Sequence, residues 1–217
     1  MFLGHFAVAL GAKKAAPEAS LGTLVLAAQF ADLLWPFFLL LGWEQVRIAP
    51  GITRVTPLDF VSFPYSHSLC AELLWGLGIG IVNFALRCNT RAAMVLAACV
   101  PSHWVLDYVA HRPDMPLFPG GTRYGLGLWN SFPATLAAEF TLFAVGIAVY
   151  LSVTDAKDRI GKWALWSLLI FLPLVYIASL ISPPPPSVQV IAVSALAMWL
   201  IVPWAAWADR HRSTSVP

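Results

Sequence analysis

Residues Gly161 to Ser182 read GKWALWSLLIFLPLVYIASLIS, and Lys162 is the only charged residue in the stretch. A helix that crosses the hydrocarbon of a bilayer needs about 20 mostly apolar residues at about 1.5 Å rise each. This segment meets that requirement. Working outward, further stretches of the same kind lie at roughly 20–43, 65–87, 91–111, 127–152 and 188–208, which makes about six spans. A shorter apolar piece at 2–12 precedes them. It is too short to cross comfortably and is expected as a tilted or half-crossing helix packed against the others.

The whole composition agrees. Of 217 residues, 59% are hydrophobic and 11% charged, and the mean hydropathy is +0.74. An average soluble domain carries about 25% charged residues, so a soluble monomer lacks the groups to cover its surface. Disorder requires low hydrophobicity and is excluded as well. The expected fold is all-α: a polytopic helical bundle forming a single membrane domain, 1–217. A net charge of +2 points to no nucleic-acid partner. Ten tryptophans suit a protein with two membrane interfaces. Cys70, Cys88 and Cys99 are odd in number and lack zinc-knuckle spacing, so they are expected as small buried hydrophobes. The start, Met1-Phe2-Leu3-Gly4-His5, has no basic region of the kind that opens a cleavable signal.

Basic residues set the expected orientation. One set of flanks holds Lys13, Lys14, Arg87, Arg91, Lys157, Arg159, Lys162, Arg210 and Arg212; the other holds Arg47, Arg54, Arg112 and Arg123. The first set is expected on the cytoplasmic side, with the C-terminus, in a bacterial inner membrane. The loops at about 44–64 and 112–126 and the proline-rich turn 182–187 then lie outside. Pro36 is expected to kink the first span, and Pro133, Pro173 and Pro203 later ones. Gly76, Gly78 and Gly80 read as helix-packing positions. Gly120, Gly121, Gly125 and Gly127 read as a mobile outer loop, and His211 as part of a solvated tail.

Ionisable residues inside apolar helices cost about 2.5–3.5 kcal/mol on insertion scales, so each asks for a reason. Those in apolar surroundings are His5, Asp32, His67, Glu72, His103, Asp107, His111 and Glu139. In the expected topology most of them share one depth, toward the outer side. The strongest local pattern is His103-x-x-x-Asp107-x-x-x-His111. Residues four apart share a helix face, so an imidazole and a carboxylate reach one point, as zinc and other first-row metals require. A helix-end ion pair is the other reading of the triplet. Ser66 and Ser68 flank His67, and either is placed to cap the following helix. Asp32 has no basic neighbour nearby and must be neutral, paired across helices or bound to a cation. Glu72, Glu139 and His111 are candidate bases. Arg112 and Arg123 are candidates for holding a substrate anion or anchoring at the interface.

Taken together, these residues resemble the YdjM-like membrane-bound metal-dependent hydrolase family. The likeness rests on Gly4-His5, Asp32, Ser66-His67-Ser68, and Ser102-His103-x-x-x-Asp107 followed by Pro116-Leu-Phe-Pro119. It covers about residues 1–120, and the spans over 127–208 add nothing specific. That family is distantly similar to zinc-dependent phospholipase C and P1-type nucleases. The resemblance implies a zinc phosphoesterase-like centre of His5, Asp32, His67, His103 and Asp107, holding one or two ions. Three departures stand out. Pro64-Tyr65 replaces an Arg-Gly, a single Asp32 replaces an acidic pair, and Thr135 stands where a His-x-x-x-Glu pattern would place its histidine before Glu139.

Three functions follow as expectations. The first is a metal-dependent hydrolase acting on a lipid or another phosphoester at the outer leaflet. The second is a non-catalytic subunit or assembly factor working with other membrane subunits. The third, ranked last, is a carrier that relays a metal or proton through Asp32, Glu72 and Glu139.

Overall fold

The computed structural model describes residues 1–215. Helices follow the apolar stretches: α1 (Phe2–Ala15), α2 (Leu21–Ala28), α3 (Phe30–Leu40), α4 (Leu69–Arg87), α5 (Thr90–Ala110), α6 (Phe132–Ser152), α7 (Arg159–Ile181), α8 (Val188–Ala195) and α9 (Ile201–Arg210). A 3₁₀ segment, Leu196–Leu200, joins the last two. Five helical stretches are long and apolar enough to cross a membrane, or six if the bent pair α2–α3 is one span. The protein is thus a polytopic membrane helical bundle. Leu74, Leu77, Ile81, Leu86, Trp163 and Ile181 stand exposed on its surface, an arrangement that suits lipid rather than water.

Polar caps set where the spans begin. Ser20, Ser68, Asn89, Asp158 and Ser187 each accept a hydrogen bond from a backbone N–H in the first turn that follows. Ser68, rather than Ser66, caps α4. Between the helices lie three short antiparallel strand pairs: β1 (Gln45–Ile48) with β2 (Leu58–Ser62), β3 (Met115–Pro116) with β4 (Arg123–Tyr124), and β5 (Thr154–Ala156) with β6 (Arg212–Thr214).

The short N-terminal helix is the centre of the bundle. Leu3, His5, Phe6, Ala9, Leu10 and Lys13 of α1 are all buried. Helix α6 crosses it at Gly146, where an added Cβ would stand 2.7 Å from both the Cα and the carbonyl oxygen of Ala7. Gly76 and Gly80 of α4 face the Ala97 and Ala93 carbonyls of α5, whereas Gly78 faces open space.

Several expectations change. The first span bends by 55°, but at Gln29 (φ −102°, ψ 9°) rather than at Pro36. The chain leaves helical geometry there, and the Ala28 carbonyl accepts from a histidine of α5 instead. Pro133 opens α6 rather than kinking it, since its missing N–H has no helical partner at that position. Pro203 falls in the first turn of α9; Pro173 lies in a span interior as expected, and Pro36 lies inside α3 although the bend is not there. Cys99 is buried, but Cys70 and Cys88 are exposed. Cys88 ends α4 in the left-handed region (φ 52°). The glycine loop is tied down, with the Leu126 and Gly127 amides donating to the Tyr108 and His111 carbonyls.

The far end of the bundle is also more ordered than a charged flank would be. Lys13 donates to Asp209 at 2.8 Å, and Asp209 accepts from the Tyr150 hydroxyl at 2.6 Å and the Leu21 amide at 3.1 Å. Arg212 is buried against Thr154, and His211 meets Asp158 at 2.7 Å. The presumed tail is therefore the end of α9, a turn at His211 and the start of β6.

Three variants test this packing by thermal unfolding in detergent. Gly146→Ala should destabilise by about 1–3 kcal/mol through overpacking, while Gly78→Ala should be neutral or stabilising by up to about 1 kcal/mol. Lys13→Ala should cost about 3–5 kcal/mol, because it leaves Asp209 buried without its cation.

Candidate metal centre

The bend at Gln29 and the face of α5 bring the site together. Asp32 sits one turn past the bend on α3, and His103 and Asp107 lie four apart on α5. His67 precedes the cap of α4, and His5 projects from α1. Between His67 Nε2 and Asp32 Oδ1 the distance is 3.3 Å; between His103 Nε2 and the same oxygen it is 3.7 Å. His103 Nε2 is 3.4 Å from Asp107 Oδ2, and His5 Nε2 is 3.1 Å from Asp107 Oδ1. Ligand atoms about 2.0–2.1 Å from one tetrahedral zinc stand roughly 3.3 Å apart. Neighbouring members of the group thus lie at the spacing of ligands to one ion.

They form two overlapping sets, His5–His103–Asp107 and Asp32–His67–His103. A neutral imidazole nitrogen has one lone pair, so His103 serves one set at a time. Two ions at once would need a carboxylate to bridge them. The His5 and His103 rings stack in parallel with centroids 3.6 Å apart.

Hydrogen bonds orient the rings. His103 Nδ1 donates to the Ala28 carbonyl at 3.0 Å. Ser66 Oγ donates its one proton to Glu44 Oε2 at 2.6 Å and so accepts from His67 Nδ1, also at 2.6 Å. His111 Nδ1 meets Asp114 Oδ1 at 2.9 Å. In all three rings Nδ1 carries the proton and Nε2 offers a lone pair, as metal-ligating histidines do. His103 Nε2 is buried and has no hydrogen-bond partner among the described residues. His5 Nδ1, Glu72 Oε1 and the Gln29 amide are likewise buried without partners. Native interiors rarely leave such groups unsatisfied, so a cluster of them asks for an ion or water. The residues present fit a divalent metal. Asp32 is the accessible member, with its side chain 27% exposed against 5% or less for His5, His67, His103 and Asp107. The Met1 amino nitrogen also reaches the cluster, contacting Asp107 and lying 3.0 Å from His5 Nε2.

The expected accessory residues divide. Glu72 is fully buried and accepts from the Trp104 amide through Oε2, next to His103, while Oε1 stays unengaged. His111 Nε2 lies 3.6 Å from Asp107 Oδ2, at the edge of the group. Glu139 does not face the centre as a free base: its two oxygens accept from the Phe2 and Gly4 amides and so satisfy orphan donors at the start of α1. Arg112 is engaged by Asp59 and Asp114, which commits its guanidinium to orienting His111 through Asp114. Arg123 is exposed on β4, with no ion pair among the described residues.

Glu44, Asp59 and Asp114 were not among the expected site residues. Asp114, three residues after His111, was open to local reading. Glu44 stands 22 residues from Ser66 in the chain and was not. Comparison with known protein families, curated proteins and solved structures finds no match to this chain.

Glu44→Ala should lower metal affinity about 10–100-fold by releasing Ser66 and with it the His67 ring. Metal competition titrations on the folded variant would measure it, and an unchanged affinity would remove Glu44 from the site.

Proposed function

We propose that this protein is a membrane-embedded metal-dependent hydrolase with a phosphoesterase-like centre. The observation that carries the reading is His103 Nε2, buried without a partner between two aspartates and beside two more histidines. The likeness to YdjM-like hydrolases supports it, because the residues of that motif set are the ones that meet. Asp32, His67 and His103 hold one ion, assigned as zinc from the histidine and carboxylate donors, with Asp107 adjoining it at His103. His5 completes an alternative position with Asp107.

A bound divalent ion supplies Lewis acidity toward a phosphoryl oxygen and makes water nucleophilic near neutral pH. The chain's own residues do the rest. Ser66 with Glu44, the Ala28 carbonyl, and Asp114 with Arg112 fix three rings, so the ligands need no reorganisation. Glu72 is the base we assign, since its Oε1 is buried and has no hydrogen-bond partner among the described residues, while its Oε2 is held at the Trp104 amide next to His103. Asp32 marks the side from which substrate enters. The orientation expected from the basic flanks puts the centre toward the outer leaflet.

A second reading is a non-catalytic subunit of a membrane complex. The His5–Asp107 and His67–Asp32 pairs favour it, because they partner both carboxylates without any metal. A relay across the membrane has less support. About 12 Å of α1 separates His5 from Lys13, and Phe6, Ala9 and Leu10 are buried in the core between them.

Elemental analysis of purified protein decides between the first two. The wild type should retain at least one zinc or similar ion, and the His103→Ala, Asp107→Ala double variant should retain almost none. Full retention in the double variant, or a metal-free wild type after reconstitution with zinc, would falsify the hydrolase reading.

A further inference from the structure

A cavity of about 570 Å³ lies one side-chain layer from the centre, between the 50–58 loop, α6, α7, α8 and the proline-rich turn. Its volume is in the range of small-molecule sites, about 300–1,000 Å³. Two walls are shared with the metal centre. Phe60 and Trp129 line the cavity and pack on His111, with centroids at 4.8 and 4.1 Å. Phe2 lines it too, and its amide is held by Glu139.

Most polar side chains on the wall are already bonded. Ser179, Ser182 and Ser194 donate to carbonyls of their own helices, and Thr53 to Thr56. Two groups are left. The Tyr176 hydroxyl is buried and has no hydrogen-bond partner among the described residues, although the residue is only 5% exposed. Arg54 stands exposed at the loop end with no carboxylate partner among the described residues. Its backbone is anchored by donation to the Trp129 carbonyl at 3.0 Å. Glu139, also on the wall, disfavours an anion near its own depth.

The cavity therefore has a cationic end at the loops, an apolar length along Phe2, Phe60, Trp129, Leu180 and Ile191, and on its wall one tyrosine whose buried hydroxyl lacks an acceptor among the described residues. Tyr176 lies five residues from the end of α7, about 8 Å along the helix. We propose that this cavity binds one glycerophospholipid of the adjoining leaflet, its phosphate on Arg54, an acyl ester carbonyl accepting from Tyr176 and a chain along the aromatic wall. Binding stands on these contacts alone; that the lipid is also the hydrolase's substrate rests on the reading above.

Native mass spectrometry of the full chain, titrated with defined lipids, tests it. Wild type should bind diacyl phosphatidylglycerol about threefold to tenfold more tightly than its dialkyl ether analogue, which lacks the carbonyl acceptor. Tyr176→Phe should erase that difference. Arg54→Gln should erase the preference for phosphatidylglycerol over phosphatidylcholine. Inorganic phosphate at equal concentration should not compete. An ether–ester difference that survives Tyr176→Phe, a headgroup preference that survives Arg54→Gln, or equal competition by phosphate overturns the proposal. Metal content measured on the same samples keeps the two readings separate. Lipid binding without metal overturns only the hydrolase, and metal without selective lipid binding overturns only the lipid site.

Discussion

A carboxylate buried in an apolar helical bundle must be compensated, and in this protein the burial of Asp107 organises one end of the molecule. Its two oxygens face His5 on α1, His103 on α5 and His111 just past the end of α5. An uncompensated charge in that setting costs several kcal/mol. The arrangement that relieves it fixes how α1 meets α5. The same logic brings Asp32 of the bent span toward His67 and His103. Two carboxylates and their histidines thus act as a polar core beside a hydrophobic cluster that is mostly Leu, Ala, Val and Phe.

The opposite end uses a second buried ion pair, Lys13 with Asp209, reinforced by Tyr150. Both polar clusters involve α1. This explains why a helix too short to span is largely enclosed: it is held at both ends by charge and along its length by small residues such as Ala7 and Gly146. Buried ion pairs are weak evidence for net stability but strong evidence for geometry, because removing one partner is costly. Here they set the register of α1 against α2, α5, α6 and α9, and that register positions His5.

The rings of the centre are each oriented from outside it. Glu44 acts through Ser66, Arg112 acts through Asp114, and the Ala28 carbonyl is available because the first span breaks at Gln29. The bend is therefore part of the site. A straight span through Asp32 would direct that carbonyl along its own helix.

The sequence by itself determined the class of fold and the place of nearly every span. Twenty apolar residues in lipid have one solution, a helix that satisfies its own backbone, and caps such as Ser20, Asn89 and Ser187 are local signals. It also determined the members of the polar cluster, since a histidine or aspartate inside such a helix is conspicuous. Only the tertiary structure decided which of them meet. His5, Asp32, His67 and Asp107 are dozens of residues apart, and their convergence depends on how four helices cross. The same crossing turned Glu139 from a candidate base into a cap for α1, and committed Arg112 to two aspartates. It also placed Lys13 and Arg212, which read as surface charges, in the interior. Charge and hydropathy along a chain report how much a residue resists burial; they do not say which distant partner makes that burial tolerable.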